Sequence, residues 1–283
     1  MQYLEHRGEK ISLVGIGTYR LGEDSGAMQR EAQTFRLGIE NYDMTLIDTA
    51  EMYADGLSEE FVGKVTAGFD RTKLFIVDKI LPHNARSGLY YESCARSLER
   101  LGTDYIDLYL LHWRGGVNLQ DMVDNMEKLV QKGMIRHWGV SNFDTDDMRE
   151  LFACEKGSNC FCDQVLYNLA VRGPEFSLIP WCRQHGVLVM AYSPLCQSAS
   201  ERMAVTSDAN VVKIAQREGK TCESLMLSFV IRGRDIITVF KTSSEQHLAH
   251  NMQNVFGEIS SEDMQVLSHS FKAPHCEMPL EKI

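Results

Sequence analysis

Positive charge is scarce in this sequence: 29 Lys and Arg stand against 39 Asp and Glu, a net charge of −10. Such a chain offers no broad basic surface to nucleic acid or to an anionic membrane, so an anionic ligand needs a local basic pocket. No apolar run reaches the length of a membrane span. Met1 to Leu13 lacks the basic-then-apolar order of a secretory leader, so a cytoplasmic location is expected. No disulfide framework is visible among the scattered Cys94, Cys154, Cys160, Cys162, Cys182, Cys196, Cys222 and Cys276. Cys160-Phe161-Cys162 is a C-x-C without a paired histidine motif, so no metal site is expected. A full dinucleotide fingerprint is missing too: Gly15-x-Gly17 is followed by Arg20 at the third glycine position, and Thr18 to Ser25 reads as loop. Nor is there a Pro/Gly/Ser linker or a shift in composition, so one domain over residues 1–283 is expected.

What is present is alternation. Tyr3 to Leu13 reads as a hairpin turning at His6-Arg7-Gly8-Glu9-Lys10. Eight strand-like runs follow: Val14–Gly17, Thr45–Asp48, Leu74–Lys79, Tyr105–Leu111, Ile135–Val140, Asp163–Val165, Val187–Tyr192 and Ile236–Phe240. Between them lie helix-like segments over Met28–Asn41, Leu57–Val65, Gly88–Leu101, Leu119–Lys132, Asp144–Ala153 and Phe176–His185. After a loop come Asn210–Glu218 and Glu223–Arg232, and Glu245–Phe256 and Met264–Ser270 close the chain. Several strands are almost wholly apolar, as burial on both faces demands. An α/β fold is expected, specifically a (β/α)8 TIM barrel with an N-terminal β-hairpin and extra C-terminal helices; a doubly wound sheet is the alternative.

The strand ends carry the chemistry. In such a barrel the functional face is built at the C-terminal ends of the strands. Those ends deliver Asp48, Lys79, His112, Ser141-Asn142, Gln164, Tyr192-Ser193 and Lys241-Thr242, with Tyr53 in the segment after Asp48. Taken singly, each has an ordinary explanation: a snorkelling lysine, a structural ion pair, a satisfied core histidine. Their recurrence at corresponding ends does not. A phenol with a pKa of about 10 is a reluctant acid. A nearby ammonium, Lys79, is expected to lower that value, and Asp48 supplies the buried ammonium's counter-charge. His112 can orient a carbonyl oxygen. The set Asp48, Tyr53, Lys79, His112 is suited to protonating an oxygen as it becomes negative, as carbonyl reduction requires. No side chain donates hydride, so a nicotinamide cofactor is implied.

These residues resemble the aldo-keto reductase family, and the resemblance spans essentially the whole chain. The stretches that carry it are Ile47-Asp-Thr-Ala-Glu-Met-Tyr53, Leu101-Gly-Thr-Asp-Tyr-Ile-Asp-Leu-Tyr-Leu-Leu-His112 and Gly133-Met-Ile-Arg-His-Trp-Gly-Val-Ser-Asn142. Tyr192-Ser-Pro-Leu195 and Lys241-Thr242 through Asn251 complete it. The resemblance implies that Asp48, Tyr53, Lys79 and His112 form a catalytic tetrad with Tyr53 as proton donor. It implies NADPH as cofactor, with Ser141, Asn142 and Gln164 holding the nicotinamide carboxamide and Tyr192 stacking on the ring. Gly17, Thr18 and Asp48 fall within the implied cofactor site, and Ser193 and Leu195 match the pyrophosphate contacts. Lys241 and Thr242 match the pair receiving the adenosine 2′-phosphate, and Asn251 the adenine contact.

His247 departs from the pattern, standing where many members place an arginine, and His250 replaces a common glutamate. An imidazole lacks the bidentate guanidinium fork, so NADPH is expected over NADH with weak discrimination. His247 is read as a phosphate contact or a plain helix-surface residue. Tyr19 and Trp113 match the aromatic walls of the substrate pocket, beside Tyr53 and His112. Short connections at Arg114–Asn118 and Cys196–Asp208 and a modest tail from Ala273 resemble compact bacterial members acting on small 2-oxoaldehydes such as methylglyoxal. A monomer acting on a small carbonyl compound is expected. The competing readings are a non-catalytic NADPH-binding sensor and a Schiff-base lyase using Lys79.

Overall fold

A computed structural model describes residues 3–86 and 88–281; the expected domain also takes in residues 1, 2, 87, 282 and 283, which lie outside the described residues. The chain opens with an antiparallel hairpin, β1 (Tyr3–His6) and β2 (Glu9–Ser12). Its turn is tighter than the five residues expected. Only Arg7 and Gly8 connect the strands, both at positive φ (45° and 86°), the two-residue geometry that matches strand twist. Arg7 then donates to the carbonyls of Asn159 (3.0 Å) and Gly186 (2.9 Å), fastening the hairpin beside two later connections.

Eight parallel strands close the barrel: β3 (Val14–Gly17), β4 (Leu46–Asp48), β5 (Phe75–Ile80), β6 (Ile106–Leu111), β7 (Ile135–Ser141), β8 (Cys162–Leu166), β9 (Leu188–Tyr192) and β10 (Ile236–Phe240). Closure is made by β10, where Thr238 pairs with both Val14 and Ala191. Six helices follow strands in alternation: α1 (Met28–Tyr42), α2 (Leu57–Thr66), α3 (Tyr90–Leu101), α4 (Leu119–Gln131), α5 (Thr145–Phe152) and α6 (Leu178–His185). Nearly every strand residue is buried, because the barrel interior and the helical shell cover both faces.

Two segments differ from expectation. The stretch expected as a loop over Cys196–Asp208 contains a helix, α7 (Ala199–Thr206). It buries only Val205, so it lacks an apolar stripe, and it is started instead by a capping box between Ser198 and Glu201. After α8 (Ala209–Arg217) and α9 (Cys222–Val230), the helix expected to reach Phe256 stops earlier, as α10 (Glu245–Met252). Gln253 is extended and Asn254 takes a positive φ of 52°, ending the helical path. Helix α11 (Ser261–Ser270) closes the described fold.

Of the glycines on barrel strands, Gly139 of β7 leaves the least room for a side chain. A Cβ there would sit 2.3 Å from the Cys162 carbonyl oxygen and 2.9 Å from Leu110 Cδ2. Backbone cannot yield cheaply, so Gly139→Ala is expected to lower stability by about 1–3 kcal/mol. Urea denaturation measures it; an unchanged midpoint would contradict the close packing of β7 on β8.

Candidate active site

Strand register brings the polar residues together. Asp48 ends β4, and Lys79 is the penultimate residue of β5 rather than its last. Both are almost wholly buried. Lys79 Nζ donates to Asp48 Oδ1 at 2.6 Å, to the Thr49 carbonyl at 2.8 Å and to the Tyr53 hydroxyl at 3.2 Å. All three ammonium hydrogens therefore have acceptors, which is what makes a fully buried lysine tolerable. Tyr53 begins a short 3-10 turn whose next two residues, Ala54 and Asp55, take positive φ (50° and 51°). The turn ends at Gly56 (φ 93°), where a Cβ would meet the Arg100 side chain at 2.8 Å. Behind it Glu51, also buried, accepts from the Leu81 amide (2.6 Å), from Asn84 Nδ2 (3.0 Å) and from the Ser93 hydroxyl. Its carboxylate ties the Tyr53 segment to the connection after β5.

His112 follows β6, with its ring edge-on to Tyr53 at a centroid distance of 5.7 Å. Tyr19 packs edge-on against the other side of the phenol at 5.2 Å. From the far wall Gln164 Nε2 donates to Asp48 Oδ1 at 2.7 Å. Asn142, whose left-handed φ of 62° suits asparagine, donates through Nδ2 to the His112 carbonyl (3.3 Å) and Ser141 Oγ (3.1 Å). Its Oδ1 accepts from the Tyr192 hydroxyl at 2.8 Å, and the Ser141 hydroxyl donates to the Gln164 carbonyl at 2.8 Å. One chain of hydrogen bonds thus runs from Tyr192 through Asn142 and Ser141 to β8.

The electrostatics correct one expectation. Lys79 does lower the Tyr53 pKa, but burial raises it more, with Asp48 and Asp78 adding to the rise, so the phenol lies above its usual value of 10.0. Tyr53 is therefore held as the acid at neutral pH. Burial alone depresses the Lys79 ammonium; the charge of Asp48, then Tyr53 and their hydrogen bonds, outweigh it and leave the pKa above the usual 10.5. For His112, burial and then the charge of Lys79 act in the same direction and push the imidazole down to about 3. It is neutral over the whole physiological range.

These side chains border a cavity of about 720 Å³ at the C-terminal barrel mouth. Gly17, Tyr19, Asp48, Tyr53, His112, Trp113, Ser141, Asn142, Gln164, Tyr192, Ser193, Leu195 and Lys241 line it. Lys79 lies behind that wall. Thr18, Thr242, His247 and Asn251 are not part of the lining. The Thr18 hydroxyl donates to the Asp48 carbonyl at 3.0 Å and so joins the ends of β3 and β4. Thr242 Oγ1 accepts from the Ser244 amide, Asn251 is buried on the inner face of α10, and His247 is exposed in the first turn of that helix.

Eight further residues line the cavity without having been expected at the site: Met52, Arg114, Gly115, Pro194, Cys196, Arg202, Val239 and Phe240. Arg202 sits on the unexpected helix α7; the Ser198-x-x-Glu201 capping pattern was the signal that could have revealed it. Asn168 was not expected there either. Its Nδ2 donates to the Ser193 carbonyl at 3.0 Å, and its Oδ1 accepts from the amides of Ala170 (2.9 Å) and Val171 (2.8 Å). It fixes Ser193 in a left-handed turn (φ 50°) at the cavity edge.

A closed barrel with a lysine–aspartate–tyrosine group at its mouth is the architecture of a carbonyl oxidoreductase. The chain belongs to the aldo/keto reductase family, whose model matches residues 13–270. It is 41% identical over 273 residues to the methylglyoxal reductase YeaE of Escherichia coli, covering 96% of this chain and 95% of that protein. It is 28% identical over 261 residues to the glyoxal reductase of Bacillus subtilis, covering 92% of this chain and 88% of that one. Two solved structures of Klebsiella pneumoniae aldo-keto reductases are similar throughout. One, in complex with NADP and acetate, has a TM-score of 0.94 at 40% identity, covering 98% of this chain and 97% of its own. The other, in complex with NADPH, has a TM-score of 0.95 at 39% identity, covering all of both chains.

The buried ion pair gives the prediction for this site. Asp48→Ala leaves the Lys79 ammonium buried without its counter-charge and is expected to destabilise the fold by about 3–5 kcal/mol at pH 7. Because the folded-state pKa of Lys79 is raised above 10.5, the pair's contribution is complete below that pH and fades as pH rises through the raised value. Denaturant midpoints of parent and variant across pH 7 to the alkaline range check both parts. Equal stability at pH 7 would contradict a charged pair at this site.

Proposed function

We propose that the chain, acting as a monomer with residues 1–283 as one unit, reduces small aldehydes and 2-oxoaldehydes, methylglyoxal among them, to alcohols with NADPH. The observation that carries this reading is the single ammonium, Lys79 Nζ, hydrogen-bonded to both the Asp48 carboxylate and the Tyr53 hydroxyl, with Tyr53 bordering the cavity. The lining fits the cofactor chemically. One part offers amide and hydroxyl groups (Ser141, Asn142, Gln164) beside the flat ring of Tyr192, and another offers the cations Lys241 and Arg202. These suit a carboxamide-bearing ring and a string of phosphates respectively. Gly17, Ser193 and Leu195 complete the wall, with Asp48 hydrogen-bonded to Gln164. Thr18, Thr242, His247 and Asn251 are family-based assignments outside the lining.

Bound NADPH supplies the hydride that the carbonyl carbon accepts. Tyr53 gives the proton to the carbonyl oxygen, and the phenolate left behind is stabilised by Lys79, which already donates to that oxygen. Asp48 keeps the ammonium charged and in place. Neutral His112 orients the carbonyl oxygen by hydrogen bonding, without competing for the proton that Tyr53 delivers. Tyr19 and Trp113 wall an aromatic mouth that suits a small, weakly polar substrate. Arg114, which follows Trp113 and also lines the cavity, is engaged by Glu150 at 3.0 Å and the Val117 carbonyl at 2.7 Å. It is a loop fastener rather than a carboxylate trap. The identity to the E. coli methylglyoxal reductase supports the choice of 2-oxoaldehyde.

The lyase reading is disfavoured by the same ammonium. An amine with its pKa raised and three acceptors around it is a poor nucleophile. The sensor reading has no observation in its favour, since Asp48, Tyr53, Lys79 and His112 are all assembled.

Tyr53→Phe is expected to lower methylglyoxal reduction by about 100- to 10,000-fold while NADPH binding, read by fluorescence, is retained. Undiminished turnover would remove Tyr53 as the acid. The pH–rate profile should show no inflection from His112 between pH 5 and 8, because an imidazole with a pKa of about 3 stays neutral throughout. An inflection near 6.5 that disappears in His112→Gln would contradict that state.

A further inference from the structure

One wall of the cavity is carried by an intrinsically loose connection. Trp113-Arg114-Gly115-Gly116-Val117 leads from β6 towards α4, and its two consecutive glycines give the backbone wide freedom. The ends of the connection are fixed. The His112 amide donates to the Ile80 carbonyl at 2.9 Å and the His112 carbonyl accepts from Asn142 Nδ2 at 3.3 Å, while Asn118 caps α4 by accepting from the Asp121 amide at 3.1 Å. Between those ends stands Trp113, 37% exposed, its ring tilted against His112 at a centroid distance of 5.2 Å. A ring so open takes its position largely from the backbone that bears it.

Arg114 removes that freedom. Its Nη1 donates to the Val117 carbonyl at 2.7 Å, closing the loop on itself, and its Nη2 donates to both Glu150 oxygens, at 3.0 and 3.1 Å. Nε lies 3.6 Å from Asp147 Oδ1. All three guanidinium nitrogens are thus engaged, two of them by carboxylates of α5, so the planar group bridges the loop to that helix. A second restraint lies at Gly115, whose φ of 52° carries the chain close past Pro82. A Cβ there would sit 2.8 Å from Pro82 and 3.7 Å from Trp113 Cδ1. Arg114 borders the cavity, whereas Glu150 is exposed and outside the lining.

We propose that Arg114 is a positioning residue for the substrate: by tying the Trp113–Val117 loop to α5, it holds the Trp113 ring as the wall against which a small carbonyl compound is seated. The inference rests on the carbonyl-reduction reading above. The partners of Arg114 are the Val117 carbonyl and two α5 carboxylates, none of them in the Asp48, Tyr53, Lys79, His112 set. It therefore acts on how substrate is held and leaves the transfer of hydride and proton alone. Loosening the bound substrate raises KM with kcat unchanged, whereas displacing Tyr53 or His112 would lower kcat.

The test is steady-state reduction of methylglyoxal by the full-length protein at saturating NADPH, with NADPH affinity read separately from the cofactor's own fluorescence. Parent, Arg114→Met, Arg114→Lys, Glu150→Gln, Trp113→Ala and the double variant Trp113→Ala with Arg114→Met are compared, with thermal melts confirming that each is folded. Arg114→Met is expected to raise KM about fivefold with kcat and NADPH affinity unchanged, the scale of one partly exposed ion pair. Glu150→Gln should raise KM by a smaller factor, and it carries the test if Arg114→Met does not fold. Arg114→Lys should recover part of the loss. In the Trp113→Ala background, Arg114→Met should raise KM no further, because the ring it positions is gone. An unchanged KM in Arg114→Met, or a rise that persists in full without Trp113, overturns the positioning role while leaving the carbonyl-reduction reading intact. A fall in kcat at constant KM overturns it too and ties Arg114 to Tyr53 or His112 instead. A parent protein that reduces no small aldehyde with NADPH overturns the carbonyl-reduction reading, and this inference with it.

Discussion

The ammonium of Lys79 is the constraint around which the barrel mouth is arranged. A lysine this deeply buried survives only if each hydrogen finds an acceptor and the charge a counter-charge. Here Asp48, the Thr49 carbonyl and the Tyr53 hydroxyl provide them. Satisfying Lys79 fixes the end of β4, pins the turn that begins at Tyr53, and draws Gln164 across the cavity to the same carboxylate oxygen. The ion pair therefore acts on both fold and chemistry. It holds three strand ends in register and leaves a protonated phenol beside an ammonium that is charged at neutral pH.

Charge is separated along the cavity in a way that follows from this arrangement. At the deep end, Asp48 neutralises Lys79, and burial together with that ammonium keeps His112 uncharged, so this end of the cavity carries little net charge. Elsewhere on the wall, Lys241 and Arg202 line the cavity without a carboxylate partner among the described residues. An acidic protein can thus present a local basic pocket without a basic surface, because two cations on one concave wall suffice to raise the potential there.

Much of this was legible in the sequence because a parallel barrel writes itself in a simple code. Apolar runs with polar residues at their C-terminal ends report both the strands and the functional face, and Asp48, Lys79, His112 and Gln164 all carried that signal. Strand ends were less exact: Lys79 is followed by Ile80 within β5, since an inward side chain and a strand terminus need not coincide. Helix α7 escaped notice because it buries only Val205 and its sole local mark is the Ser198–Glu201 cap; Arg202 was lost with it. The net shift of the Tyr53 phenol was also out of reach. Its sign depends on whether burial or the Lys79 charge is larger, and that balance exists only once the residues are packed together. Asn168 and Glu51 were invisible for a similar reason, as each acts by holding backbone brought near it only by folding.

The coupling between Lys79 and the Tyr53 hydroxyl can be measured directly in protein labelled with 13C at the tyrosine Cζ, assigning the Tyr53 resonance by its absence in Tyr53→Phe. Following that resonance with pH in the parent and in Lys79→Met isolates what the ammonium does to the phenol. Ionisation above the usual 10.0 in the parent, and higher still once the lysine is removed, is the result the account predicts. A Tyr53 titration that does not move when Lys79 is replaced would contradict it.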